Sequence, residues 1–275
     1  GYTGSRLGAG FLYGLTHMDV KTTLLRSGNH SLRALIIGQL NPDKPCIVLL
    51  HAALDCLETW KGFPLQLAQQ TGLPVVAFER YGHGESGQIT EPLGIDYRHQ
   101  QAEIVLPELL LELELKKVIL VGHSDGAAIA LIAAAKLPQM VTGVCAIAPP
   151  LVAEMLVRKG IKDAVEQYEQ HDLAAKLKAF HGKGTDALFY AWSNAWLSKA
   201  FDNWSCVDEL KKINCPVHLI FGAADQFGYK ASMDLIAKNL PITADTLVLP
   251  GVDHMPHHSA RKETVNSINK FIKSL

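Results

Sequence analysis

The five residues from Gly122 to Gly126 constrain this chain more than any other stretch. They read Gly-His-Ser-Asp-Gly and lie between an apolar run typical of a β-strand, 117–121, and a run of small helix-forming residues, 127–131. In this strand-turn-helix context the G-x-S-x-G pattern predicts a sharp turn that lifts a serine hydroxyl clear of a sheet. Glycines permit the close backbone approach that such a turn needs. The pattern therefore predicts that Ser124 is a nucleophile.

The composition of the chain excludes several classes of protein. With 275 residues, 48% hydrophobic and 19% charged, it is typical of a globular protein with one large domain or one domain with an insertion. The formal net charge is -1, and no block of lysine and arginine occurs, so we expect no nucleic-acid partner. No uninterrupted apolar stretch reaches the roughly 18 residues of a membrane span, so we expect no membrane partner either.

The five cysteines are scattered, odd in number and without a C-x-x-C pair. This pattern favours free thiols in a reducing cytoplasm over a disulfide framework. Residues 1–17 lack the charged start and long apolar core of a secretory signal. One hypothesis is that they are a vector-derived extension and that the native chain starts at Met18.

The spacing of apolar residues predicts the fold class. Two runs, 20–25 and 31–38, indicate a hairpin. Six further apolar runs alternate with helical patterns, which predicts a mostly parallel sheet of about eight strands with helices on both faces. The six runs are 46–50, 73–78, 118–121, 144–148, 217–221 and 246–249. The helical patterns cover 57–70, 97–115, 127–136, 230–240 and 261–273.

One segment, 151–207, breaks this alternation because it carries only amphipathic helical patterns. We expect a helical insertion there, within a core formed by 18–150 and 208–275. Trp192 and Trp196 follow Leu188 at helical spacing. Their side chains either attach the insertion to the core or line an apolar substrate site.

A serine hydroxyl needs a base within hydrogen-bond reach and an acid that orients the base. Asp225 lies just past the C-terminal end of an apolar run, which is where open parallel sheets present their sites. We predict Asp225 to be the acid. His254 follows the last apolar run, in the order serine, acid, histidine, and we predict it to be the base. His257 and His258 compete for this role but lie nearer the final helix, where we expect them to be exposed.

Two other motifs suggest different chemistry and are set aside. The three histidines within 254–258 have no second cluster of ligands at suitable spacing, so we expect no metal. Asp253, the neighbour of His254, is interpreted as a turn residue. The G-x-G-x-x-G match at 82–87 continues as a loop rather than a helix, so we expect neither a nicotinamide nor a flavin cofactor.

The turn after the third apolar run, at His51-Ala52-Ala53, offers a second group of donors. Backbone N–H groups stabilise the oxyanion that forms when a serine attacks an acyl carbon. We expect the N–H groups of Ala53 and Asp125 to form this oxyanion hole.

Taken together, these motifs resemble those of the α/β-hydrolase superfamily. The matching parts are His51-Ala52-Ala53, the loop 80–87, the turn at Ser124, Asp225 and His254. The resemblance implies the fold, the catalytic triad and a helical cap at 151–207. One departure is Ala52, where the family usually has glycine. Another is serine at the nucleophile position, which argues against haloalkane dehalogenase and epoxide hydrolase chemistry, because those enzymes use aspartate.

Asp125 is a further departure, because it adds a carboxylate beside the nucleophile. It either stabilises the start of the helix through the helix dipole or attracts a substrate ammonium group. The second hypothesis follows from the similar Gly-Trp-Ser-Asp-Gly turn of valacyclovir-hydrolase-like esterases.

These observations predict a cofactor-free serine hydrolase that acts on a small carboxylic ester or related acyl substrate. The alternatives are a thioesterase, a carbon-carbon bond hydrolase of the meta-cleavage type and a perhydrolase, all with the same triad. A ligand receptor without turnover is the alternative from another class, because a fold does not determine a function. The oligomeric state stays open.

Overall fold

The computed structural model describes residues 18–275, so the hypothesis about residues 1–17 lies outside the described residues. Its centre is an eight-stranded sheet in the order β1-β2-β4-β3-β5-β6-β7-β8. The first two strands form a hairpin, β2 runs antiparallel to β4, and the remaining pairs are parallel. The strands are β1 (Val20–Ser27), β2 (His30–Ile37), β3 (Cys46–Leu50), β4 (Val75–Phe78), β5 (Val118–His123), β6 (Val141–Ile147), β7 (Val217–Gly222) and β8 (Asp245–Leu249). The predicted fold class is confirmed.

The central strands are buried on both faces, which explains their continuous apolar sequences. Every residue of β3, β4, β5 and β7 is buried. In β3, Val48 and Leu50 belong to the hydrophobic core on one face of the sheet, and Ile47 and Leu49 to the core on the other. This alternation places helices on both sides.

The helices include three that begin and end within two residues of the predicted positions 127–136, 230–240 and 261–273. The helices are α1 (Phe63–Thr71), α2 (Tyr97–Gln100), α3 (Leu106–Glu112), α4 (Asp125–Lys136), α5 (Met155–Gln170), α6 (Leu173–His181), α7 (Thr185–Leu197), α8 (Val207–Leu210), α9 (Lys230–Asn239), α10 (Pro256–Ser259) and α11 (Arg261–Ile272).

Two predicted helices are interrupted. The pattern at 57–70 divides into a 3-10 turn, Glu58–Trp60, and α1, because Lys61 takes a positive φ of 52° between them. The pattern at 97–115 contains a π-helical stretch, Gln101–Val105, between α2 and α3. Pro107 follows this stretch and has no backbone N–H, so the regular α-helical hydrogen bonds cannot continue through it.

The segment 151–207, called the helical insertion below, connects β6 to β7. It contains α5, α6, α7 and the start of α8, and an isolated bridge between Val152 and Ser205 joins its two ends. None of the helices within residues 18–275 is both long and apolar enough to cross a membrane. All five cysteines, which lie within these residues, are free thiols, as expected.

Candidate active site

Ser124 occupies the turn between β5 and α4 with a φ of 51° and a ψ of -114°. A positive φ is strained for a residue with a Cβ, and such strain persists only where the surroundings enforce it. Both flanking glycines are needed. A Cβ on Gly122 would lie 2.2 Å from the Gly126 carbonyl oxygen, and a Cβ on Gly126 would lie 2.0 Å from the Leu50 carbonyl oxygen. Close backbone packing therefore holds the serine in its exposed position at the start of α4.

The three residues predicted as a triad lie together. His254 Nε2 is 3.0 Å from Ser124 Oγ, and His254 Nδ1 is 2.6 Å from Asp225 Oδ2. The other carboxylate oxygen of Asp225 accepts a hydrogen bond from the Phe227 N–H at 2.8 Å. The Nδ1–H group thus donates to the carboxylate and leaves Nε2 free to accept the serine proton.

Burial lowers the pKa of His254, and the hydrogen bond that its Nδ1–H donates to Asp225 opposes that effect. Together these effects lower the pKa of His254 below its ordinary value of 6.5, so the imidazole is neutral at neutral pH. A neutral imidazole is the form that can act as a general base.

Gly222 brings the two partner loops together. A Cβ at this position would lie 2.0 Å from the carbonyl oxygen of Asp253, so only glycine allows the end of β7 to pack on the loop after β8. Asp253 Oδ1 accepts hydrogen bonds from the Met255 N–H at 2.9 Å and the Ser259 hydroxyl at 2.8 Å. Its interpretation as a turn residue is confirmed.

The prediction that His257 is exposed is wrong. This side chain is only 1% exposed, and its ring packs 5.3 Å from that of Trp60 and 5.5 Å from that of Phe63. The short helix α10 turns it inward. Burial holds the pKa of His257 well below its usual value. His258 is partly buried, and neither histidine replaces His254 beside Ser124.

The two predicted oxyanion donors line the same cavity as Ser124. Asp125 is the first residue of α4, where an N–H has no partner in the helix. Within residues 18–275, neither the Ala53 N–H nor the Asp125 N–H donates to a protein acceptor. Ala52 does not take a positive φ, so the alanine found in place of the usual glycine is accommodated without strain.

The carboxylate of Asp125 has partners inside the protein. It is 3% exposed, pairs with the guanidinium of Arg98 through Nε, and accepts hydrogen bonds from the Tyr97 hydroxyl at 2.8 Å. Arg80 Nη2 lies 3.8 Å from its Oδ2 atom. Its charge is therefore already paired in the interior, which does not favour the hypothesis that this carboxylate binds a substrate ammonium group.

Arg98 was missed in the sequence. It is fully buried, with its guanidinium 4.3 Å from the ring centroid of Trp204 and 4.7 Å from that of Trp196. Cation–π contacts of this kind compensate part of the cost of burying the charge. In the sequence it is an arginine within a helical pattern, and arginines in such patterns are usually exposed to solvent.

The cavity in front of Ser124 has a volume of about 680 Å³ and lies between the sheet and the helical insertion. Trp192 and Trp196 both line it. Most of the other lining side chains are apolar, and they include Leu54, Leu151, Val157, Ile161, Leu173 and Phe227. The cavity is therefore suited to an apolar organic group of moderate size.

His123, the residue before the nucleophile, also lines the cavity and was missed. Its Nε2–H donates to the His254 carbonyl oxygen at 2.8 Å, which fixes the backbone that carries the candidate base. Its Nδ1 lies 3.8 Å from Asp55 Oδ2.

One group of possible metal ligands occurs within residues 18–275, and it consists of Cys56, Glu58 and Glu79. Arg33 is paired with both carboxylates, at 2.6 Å to Glu58 and 2.5 Å to Glu79. Burial also raises the pKa of the Cys56 thiol to about 12, so the thiol stays protonated at neutral pH. A cation would have to displace Arg33 and remove that proton, so this group does not favour a metal site.

The glycines of the 82–87 loop have a structural explanation. Gly82, Gly84 and Gly87 all take positive φ values, and a Cβ on Gly84 would lie 2.1 Å from a carboxylate oxygen of Glu79. This loop folds around a buried carboxylate, which accounts for its glycine pattern.

Comparison with known proteins agrees with this fold. A family described as the alpha/beta hydrolase family matches residues 47–267, which is most of the chain. The chain belongs to this family. An uncharacterized protein of Mycobacterium tuberculosis is 34% identical over 97 residues, a match that covers 35% of this chain and only 27% of that relative.

A longer match is to human serine hydrolase BPHL, 27% identical over 203 residues, which covers 70% of this chain and 68% of the relative. Among solved structures, 2-hydroxy-6-oxo-6-phenylhexa-2,4-dienoate hydrolase from Rhodococcus sp. strain RHA1 superposes with a TM-score of 0.74. Its sequence is 16% identical, and the alignment covers 93% of this chain and 99% of that one. At this identity the likeness is one of fold alone.

Proposed function

We propose that this member of the alpha/beta hydrolase family is a serine hydrolase that cleaves a small carboxylic ester or related acyl substrate. The observation that carries the proposal is the continuous chain of hydrogen bonds from Ser124 through His254 to Asp225, at 3.0 and 2.6 Å. A serine so placed, at a helix start and beside two free backbone donors, fits nucleophilic acyl transfer better than ligand binding alone.

In the first half of the reaction Ser124 Oγ attacks the acyl carbon while His254 Nε2 takes the serine proton. Asp225 stabilises the imidazolium that forms. The carbonyl oxygen gains the negative charge, and the N–H groups of Ala53 and Asp125 stabilise it. The imidazolium then protonates the leaving group, and the acyl group stays on Ser124.

In the second half, His254 takes a proton from water, and the resulting hydroxide attacks the acyl carbon. The second tetrahedral intermediate collapses, Ser124 recovers its proton from His254, and the carboxylic acid leaves. The overall reaction consumes one water and needs no group beyond these residues.

The apolar lining supports a substrate with an apolar acyl or alcohol part. Trp192 and Trp196 are the proposed contacts from the helical insertion, which would act as a cap over the site. The five free thiols are compatible with a reducing compartment, which supports a cytoplasmic location.

A panel of matched substrates tests the proposal. Purified protein is assayed with aryl and alkyl esters of two to ten carbons, the matching thioesters and a meta-cleavage dienoate, alongside Ser124→Ala. We expect ester turnover that the Ser124→Ala variant lacks. Preference for the thioesters or the dienoate would assign one of the alternative reactions, and no turnover of any substrate would favour the receptor alternative.

A further inference from the structure

We propose that Arg80 is the positioning residue that sets the oxyanion hole, by holding the peptide between Ala52 and Ala53 in one orientation. This inference rests on the proposed function. Arg80 follows β4, is only 3% exposed and does not line the cavity, so it acts through the backbone of its neighbours rather than on the substrate.

The Ala52 carbonyl is held on the inner side of the loop by two donors. Arg80 Nη2 donates to it at 2.9 Å, and His51 Nδ1 donates to it at 2.7 Å. No cis peptide bond occurs within residues 18–275, and in a planar trans peptide the N–H points away from the C=O. Fixing the Ala52 oxygen inward therefore turns the Ala53 N–H outward, toward the cavity that Ala53 lines.

The backbone N–H at position 80 determines which nitrogen of His51 donates. The backbone N–H of Arg80 donates to His51 Nε2 at 3.0 Å, so Nε2 must accept and Nδ1 must carry the proton. Nη1 of the same arginine donates to the His51 carbonyl oxygen at 2.5 Å. The side chain of Arg80 thus makes one of the two bonds on the Ala52 oxygen, and the backbone N–H of the same residue fixes the His51 tautomer that makes the other.

The guanidinium of Arg80 also lies near Asp125. Its Nη2 is 3.8 Å from the carboxylate of Asp125, which also pairs with Arg98. The Asp55 carboxylate also acts on Arg80, so the two guanidinium groups balance two carboxylates. Since a buried charge is poorly screened, this balance cancels the unfavourable effect of Asp125 on a developing oxyanion.

This arrangement also explains the alanine at position 52. Glycine would give the loop access to a positive φ, but Ala52 adopts no such conformation. The orientation of the following N–H comes instead from the side chains of Arg80 and His51.

The test compares esters with matched thionoesters in Arg80→Gln and Arg80→Lys. Sulfur is a weak hydrogen-bond acceptor, so the ratio of oxoester to thionoester kcat reports how well the hole binds oxygen. We expect a kcat loss of about 10- to 100-fold with little change in KM, below the roughly 10²- to 10³-fold effect of deleting a donor. The oxoester to thionoester ratio should fall with it, and Arg80→Lys should lie between Arg80→Gln and the wild type.

Arg33→Lys is the matched control, because Arg33 is a partly buried arginine with carboxylate partners that makes no bond to the Ala52 peptide. Its kcat ratio should equal that of the wild type. If both Arg80 variants fail to fold, His51→Gln removes the other bond to the same carbonyl and should lower the ratio. An unchanged ratio in a folded variant that still depends on Ser124 would overturn this inference alone, whereas activity that survives Ser124→Ala would overturn the proposed function.

Discussion

The turn at Ser124 and the helical insertion form opposite sides of one cavity, but they are held in different ways. Around Ser124 the constraints are backbone atoms, as when a Cβ on Gly126 would lie 2.0 Å from the Leu50 carbonyl oxygen. In the insertion, a Cβ on Gly160 would meet a ring carbon of Phe227 at 2.3 Å, and a ring can turn aside. The turn that carries Ser124 is therefore fixed by backbone atoms, whereas the insertion packs against the loop after β7 through a side chain that can move.

The two regions meet at His181, the last residue of α6. Its Nδ1 accepts from the Gly84 N–H and its Nε2 donates to the Leu54 carbonyl oxygen, both at 2.8 Å. This side chain ties the insertion to the loop that carries Ala53. The contrast between a rigid core and an adjustable insertion leads to the predictions that follow.

The largest effect is expected within the core, for His254→Ala. Removing the base leaves Ser124 without activation, so kcat/KM should fall by about 10⁴- to 10⁶-fold, as in comparable triads. His257→Phe is the matched control, because this nearby histidine is buried among aromatic rings and contacts no reacting atom. Ester kinetics measure both, and a similar loss in the control would contradict the assignment of His254.

Next in size is the effect of adding one methyl group in each region. Gly126→Ala forces a Cβ against backbone and should lower the free energy of unfolding by at least about 3 kcal/mol or prevent folding. Gly160→Ala lies inside α5, where alanine gains up to about 1 kcal/mol of helix propensity, so the net change should be within about 1 kcal/mol. Urea unfolding measures both. Equal losses would remove the contrast between the two regions.

A smaller effect is expected for Trp192→Ala in the insertion. Losing this contact should raise KM for esters with long acyl chains by about 10-fold, which corresponds to about 1.4 kcal/mol, and should change kcat little. Tyr190→Ala is the control, since Tyr190 lies on the same helix but is 37% exposed and outside the cavity. A loss confined to kcat would indicate that the insertion takes part in the chemistry.

The smallest effect concerns pH. Burial lowers the pKa of His254, so its neutral form persists below the ordinary value of 6.5. Activity requires that neutral form, so kcat/KM should be constant near neutrality and decline only as pH falls through a pKa below 6.5. The same acid limb should occur in Trp192→Ala, because the titrating group belongs to the core. A midpoint above 6.5, or one that moves with the insertion variant, would contradict this description.

The parts that could be predicted from the sequence are those encoded locally. The apolar runs of buried parallel strands, the glycines beside Ser124 and the order of Asp225 and His254 all follow from spacing and strand ends. The structure brings these three side chains together because parallel strands end at one edge of the sheet.

The parts that could not be predicted depend on contacts between distant segments. Arg98 and Asp125 pair across 27 positions, and Arg80 reaches the loop after β3 across 28. An ammonium contact for Asp125 was one of two hypotheses, because the sequence does not show that Tyr97 and Arg98 pair with its carboxylate. His257 was expected to be exposed, but it packs against Trp60 from a different part of the chain.

The central claim is that the rigid core activates Ser124 as a nucleophile, and labelling with a fluorophosphonate probe tests it most directly. The folded protein is treated with the probe, digested and mapped by mass spectrometry, with Ser124→Ala and His254→Ala as controls. The account predicts one adduct on Ser124, lost in the first variant and formed far more slowly in the second. An unlabelled Ser124 in well-folded protein, or labelling that does not depend on His254, would contradict it.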